Sequence, residues 1–181
     1  MGQAKVRQQR ERDSLLRVFD DWSHPPSEWE AAMVCEVEKL PVVLVSRVPP
    51  ERLAQMRMKP RLCHDNCHWY AEHDPSGATR VCSGWLSDGG GTFVLHTVIA
   101  SGDDYLCITP MPHVGGTHFE FIPDSAITVT RTDDGAFEHR RNGQLIGAGL
   151  RIDPAKTLAQ IARVRERVAA GMDPVEAVRL G

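Results

Sequence analysis

TRVCSGWLS (79–87), GTFVLHTVIA (91–100) and DYLCITPMP (104–112) are the stretches whose reading decides the fold. Each mixes β-branched and aromatic residues in the manner of a strand. DGGG joins the first two and SGDD the last two, and both carry the turn chemistry of hairpins. In TFVLHTVI the side chains alternate, so Val94, His96 and Val98 share one face while Phe93, Leu95, Thr97 and Ile99 share the other. HFEFIP (118–123) reads as a fourth strand. SAITVTRT, AFEHRR and QLIGAG, parted by DDG and NG, spell a meander.

Helices flank these strands. Residues 3–21 read as a helix with a basic start, broken by His24-Pro25-Pro26; Ser27 caps a second helix that Pro41 ends. PVVLVSRV (41–48) reads either as a buried strand or as an extended connector, and Pro49-Pro50-Glu51 opens a helical turn. After Gly149, Asp153-Pro154 starts a long helix ended by Gly171, and Asp173-Pro174 starts a short one. The sequence therefore predicts an α+β fold: a cysteine-bearing helix packed on an antiparallel sheet, with helices at both termini. Residues 1–59 form an N-terminal helical segment, 60–150 the core and 151–181 C-terminal helices, within one structural domain. The terminal helices are packing partners or oligomerisation arms.

With 181 residues, 41% hydrophobic and 25% charged, the chain has the composition of a globular domain able to bury a core without staples. A net charge of −3 argues against nucleic acid or a membrane as partner. The basic residues Lys5, Arg7, Arg10 and Arg12 read as a solvated helix end, and RVRERV (163–168) as an exposed stripe. MGQAKVRQQRER lacks the apolar core of a secretory signal, so the expected location is cytoplasmic. Five cysteines, at 35, 63, 67, 82 and 107, are then free thiols, ligands or a nucleophile rather than a disulfide framework.

RLCHDNCHWYAEH (61–73) concentrates that chemistry. A zinc reading would draw on Cys63, His64, Cys67, His68, His73 and Cys82. The spacing from Cys63 to Cys67 is that of a helix face, however, and no second tight pair follows. A structural reading treats Cys35, Cys67 and Cys82 as small buried hydrophobes and leaves His68 and His73 in solvent. A catalytic reading concerns Cys63 alone. It follows Pro60 at the start of a helix, where unpaired backbone N–H groups favour a thiolate. His96, a lone histidine in an apolar strand, is either a satisfied core residue or the base such a thiol requires. Asn66 serves as a backbone partner near the helix start, or supplies an oxyanion donor beside the Cys63 N–H. Trp85 reads as packing or as a cleft wall. SDGGG (87–91) reads as a hairpin turn, and His113 and His118, near Gly115-Gly116, carry no assigned role.

In their order, a cysteine at a helix start, a strand with Gly-Trp, a strand with His-Thr-Val, a strand ending Ile-Thr-Pro and then Phe-Ile-Pro-Asp resemble the papain-like superfamily. They resemble above all its transglutaminase-like and NlpC/P60-like branches, and within these a group of uncharacterised bacterial and phage proteins. The resemblance covers about residues 60–125. It implies a thiol-dependent hydrolase or acyl transferase acting on an amide or peptide bond without a cofactor, with Cys63 as nucleophile and His96 as base. It also implies a third residue on the next strand to orient His96. The superfamily uses Asp, Asn or His there; this chain offers Cys107 and Thr109. That departure supports a second reading, a papain-like binding module without activity, and a zinc-stabilised module is a third.

Overall fold

The computed structural model describes residues 3–87, 91–111 and 116–180. The turn expected at 88–90, together with His113 and Gly115, lies outside them, as do the side chains of Lys5 and Arg7. The fold is α+β, with helices at both ends of the chain. Residues fall into two compact units, 1–32 with 151–181, and 33–150.

The first unit is helical. It contains α1 (Gln3–Trp22), the start of α2 (Glu28–Val37), α5 (Pro154–Ala169) and α6 (Pro174–Arg179). Ser27 caps α2 by accepting from the Glu30 N–H, and Asp153 caps α5 by accepting from that of Lys156. Val164, Val168 and Ala177 form its core with Leu15, Phe19 and Met172. Thus the RVRERV stripe, expected to be exposed, is exposed only at Arg163 and Glu166, half-buried at Arg165 and Arg167, and buried at both valines. Glu30 and Arg151 are fully buried and paired at 2.6 Å. Arg151 also donates to the carbonyl oxygens of Trp22, His24 and Pro25, which ties down the break after α1.

The second unit is built on β1 (Val43–Arg47), β2 (Arg80–Ser87), β3 (Thr92–Ser101), β4 (Asp104–Cys107) and β5 (His118–Pro123). β2 pairs with β3, β3 with β4, β4 with β1, β1 with β5, and β5 with β2. The ring closes into a small barrel, which removes its free edges. Of these five pairings, that of β1 with β4 is parallel and the other four are antiparallel. The 41–48 run is therefore a strand, and the segment 60–150 does not contain the whole sheet. QLIGAG, expected as one strand, divides into β8 (Gln144–Ile146) and β9 (Gly149–Arg151); β9 lies beside β3. A second sheet consists of β6 (Ile127–Arg131), β7 (Phe137–Arg141) and β8.

Inside the barrel are Val45, Val98, Cys107 and Phe121, with Val43, Cys82, Tyr105, Met111 and Phe119. Outside, Ile99 and Ile108 pack with Leu53 of α3 (Pro50–Gln55), Met58, and Cys67 of α4 (Cys63–Glu72). Gly84 is required where β2 crosses β5: a Cβ there would lie 2.2 Å from the Ile122 oxygen and 2.7 Å from a Phe121 ring carbon. Trp85 is core rather than cleft wall. Its Nε1–H donates to Asp124 at 2.8 Å, which joins the Gly-Trp and Phe-Ile-Pro-Asp stretches, and Arg141 donates to the same oxygen at 2.7 Å. Among the described residues no helix is long and apolar enough to cross a membrane.

Candidate functional site

Cys63 is the first residue of α4, as its spacing from Pro60 predicts. The helix start carries no side-chain cap. It is held instead by Asn66, whose Oδ1 accepts from the Lys59 N–H at 3.1 Å and whose Nδ2 donates to the Lys59 oxygen at 2.8 Å. The same Nδ2 donates to Thr109 Oγ1 at 3.2 Å. Asn66 and Thr109 are thus brought together, both buried, and Asn66 is the backbone partner that its position allows.

The end of one strand ladder positions the thiols. β3 and β4 remain paired from Ser101–Asp104 to Ile99–Leu106. Cys107 then bonds to β1, with its carbonyl accepting from the Val48 N–H. Beyond that point α4 replaces β4 against β3. Cys67 donates its S–H to the Thr97 oxygen at 3.3 Å, and the Thr97 N–H faces the Cys63 sulfur. Cys63 therefore occupies the seam between the inner and outer faces of the barrel.

His96 lies on the inner face, as the alternation of β3 predicts, and its ring meets Phe119 and Phe121 edge-on. Its Nε2 is 3.5 Å from Cys107 Sγ. Among the described residues no hydrogen bond joins His96 to Cys63 or to Thr109. Burial pushes the Cys63 thiol up, although the N–H groups of Thr97, His64 and Cys63 favour the thiolate. This opposes the depressed value expected at a helix start: the thiol is only 9% exposed, and desolvation outweighs the backbone. Burial also holds His96 down, to about 4. At neutral pH the two groups rest as thiol and neutral imidazole.

His64, next in sequence to Cys63, turns toward another element. Its Nδ1 lies 2.5 Å from Thr97 Oγ1 and 3.0 Å from Nε2 of His139 on β7. His68 is half-buried rather than solvated and stacks on Phe137 at 4.8 Å. His73 is exposed, with its ring on Trp69. Of the expected buried cysteines Cys67 is buried, Cys82 half-buried and Cys35 exposed. The pairing of β7 with α4 was missed from sequence; the inward alternation Phe137, His139, Arg141 in AFEHRR was the available signal. A cleft of about 360 Å³ beside the α4 start is lined by Met56, Arg57, Leu62, Asn66 and Trp69 among others. Among the described residues no group of three or more His, Cys, Asp or Glu could hold a metal ion.

Comparison with protein-family models, with curated proteins and with solved structures gives no match.

Proposed function

We propose that the chain is a thiol-dependent hydrolase or acyl transferase acting on an amide or peptide bond, as its resemblance to papain-like enzymes implies. The observation that supports this most is the 3.5 Å approach of Cys107 Sγ to His96 Nε2. Cys107 occupies one of the two positions at which an orienting residue is expected. In this reading Nε2–H donates to the Cys107 sulfur, whose own S–H points to the Thr109 oxygen, and the unprotonated Nδ1 is left to serve Cys63. The Cys63 sulfur attacks the substrate carbonyl carbon while its proton passes to His96 Nδ1. A sulfur–carbon bond forms, and backbone N–H groups around the α4 start receive the oxyanion. Collapse breaks the carbon–nitrogen bond, and His96 returns the proton to the leaving amine. Water or a second nucleophile then takes the acyl group from the thioester and restores the thiol. Asn66 and Thr109 position the helix start in this reading.

The binding-module reading is favoured by a different observation: Cys63 and His96 both rest neutral and buried. Turnover separates the two. The enzyme reading predicts release of p-nitrophenolate from p-nitrophenyl acetate beyond one equivalent per chain, lost in Cys63→Ser and in His96→Asn. Stoichiometric release alone, or turnover that survives both substitutions, favours the binding module.

A further inference from the structure

We propose that the β6–β8 sheet is an acid-released cover on α4, latched at neutral pH by Phe137 and His139 seated on His68 and His64, and lifted when His64 and His139 take up protons.

The latch is one strand face. Phe137, His139 and Arg141 alternate along β7 and point the same way. Phe137 stacks on His68 with an interplanar angle of 17°, and the His139 and His64 rings stand 3.9 Å apart. His64 and His68 are four residues apart on α4 and so share its face. Arg141, at the other end of the strand, is tied to Asp124 and Glu36. The sheet therefore has an ion-paired end and an imidazole end, and protons act on the second.

The contact requires neutral rings. One N–H···N bond joins two neutral imidazoles, whereas two imidazolium ions present only donors to each other. The 3.0 Å separation of His64 Nδ1 from His139 Nε2 cannot survive double protonation. Thr97, on β3, offers Nδ1 a hydroxyl that also meets Ser83 Oγ of β2 at 3.2 Å, so the groups facing it there are uncharged. The charges that His64 would meet are those of His139, His96 and His68, and His139 would meet that of His68. Arg131 stands over the Phe137 ring at 5.5 Å and adds a positive charge on that side of the contact. His68 Nε2 is buried without a partner.

The direction follows from linkage. Burial first, then the neighbouring imidazoles, pushes His64 down to about 3, and His139 is lowered for the same causes. An opened sheet releases both toward the ordinary value of 6.5. Closure is favoured in full above that value and weakens progressively as pH falls below it. The consequence for Cys63, which His64 follows directly, rests on the enzyme reading above: lifting the sheet would change access to the thiol. The opening itself does not depend on that reading.

Hydrogen exchange read by mass spectrometry at pH 7.5 and 5.5, corrected for the intrinsic exchange rate, tests the cover without using the thiol. Protection of 127–146 should fall at pH 5.5 by about tenfold for each imidazole that is neutral when closed and ordinary when open. Protection of 154–169 should hold. His64→Gln with His139→Gln keeps polar atoms without titration and should abolish the pH difference; His139→Asn alone should reduce it. Equal protection at both pH values, loss that extends equally to 154–169, or an undiminished difference in either variant overturns the proposal. Failed turnover with intact pH-dependent opening would overturn the enzyme reading alone.

Discussion

Cys107 presents its sulfur to Nε2 of His96 at 3.5 Å, at the point where β4 has left β3 and joined β1. The contact fixes which imidazole nitrogen is occupied. Burial is what makes this imidazole a weak base, and a thiol offsets burial far less than a carboxylate would.

Cys107→Asp should therefore strengthen the base. A carboxylate at that distance raises an imidazole by roughly 1–3 pKa units, so His96 should titrate well above about 4 in an NMR pH series. Turnover of p-nitrophenyl acetate should rise about tenfold or more. A folded variant with a raised His96 value and unchanged turnover would count against His96 as the base.

The resting thiol should be sluggish toward small alkylating agents. Burial pushes Cys63 up, whereas Cys35 is exposed. Peptide-resolved labelling with iodoacetamide at pH 7.5 should modify Cys35 before Cys63, and the Cys63 rate should still be climbing above pH 9. Rapid Cys63 labelling with a plateau below pH 8 would contradict the desolvated environment described for it.

Gly84→Ala should destabilise the barrel. Gly84 faces His96 across β2–β3 and Pro123 across β2–β5, and no Cβ fits against the Ile122 oxygen. Overpacking of this kind costs about 1–3 kcal/mol, measurable as a lower urea midpoint. Wild-type stability would show that the two strands separate there without cost.

Glu30→Gln leaves the buried Arg151 guanidinium without its counter-charge, at a cost of about 3–5 kcal/mol. Burial alone would raise the Glu30 carboxyl, but its hydrogen bonds and charge pairing with Arg151 win and hold it below the ordinary 4.5. A depressed carboxyl stabilises above its unfolded value, and that contribution disappears as pH falls through the folded one. Urea unfolding should accordingly show a wild-type advantage over Glu30→Gln that is full at pH 7 and shrinks below pH 4.5. An advantage independent of pH would contradict the assignment.

The strands were legible because their signals are local. Alternation in TFVLHTVI placed His96 opposite Thr97, and DDG and NG marked the β6–β8 turns. Capping at Ser27 and Asp153 was legible for the same reason. Closure of the barrel was not, because it depends on β1 reaching both β4 and β5 across long separations, one of them in parallel. The candidate site divided in the same way. Cys63 at a helix start follows from spacing, whereas Cys107 beside His96 is one of the two positions, with Thr109, that the resemblance implies. The raised thiol follows from neither, since desolvation reflects packing from distant elements. Nor does the seating of Phe137 and His139 on α4, which needs two sheets to meet one helix.

Acyl trapping tests the central claim most directly. Wild-type protein quenched in acid during steady-state turnover of p-nitrophenyl acetate, then mapped by mass spectrometry, should carry the acetyl group on Cys63 ahead of the exposed Cys35, and His96→Asn should remove that preference. Acetyl found first on Cys35, with Cys63 unmodified or indifferent to His96, would contradict the account.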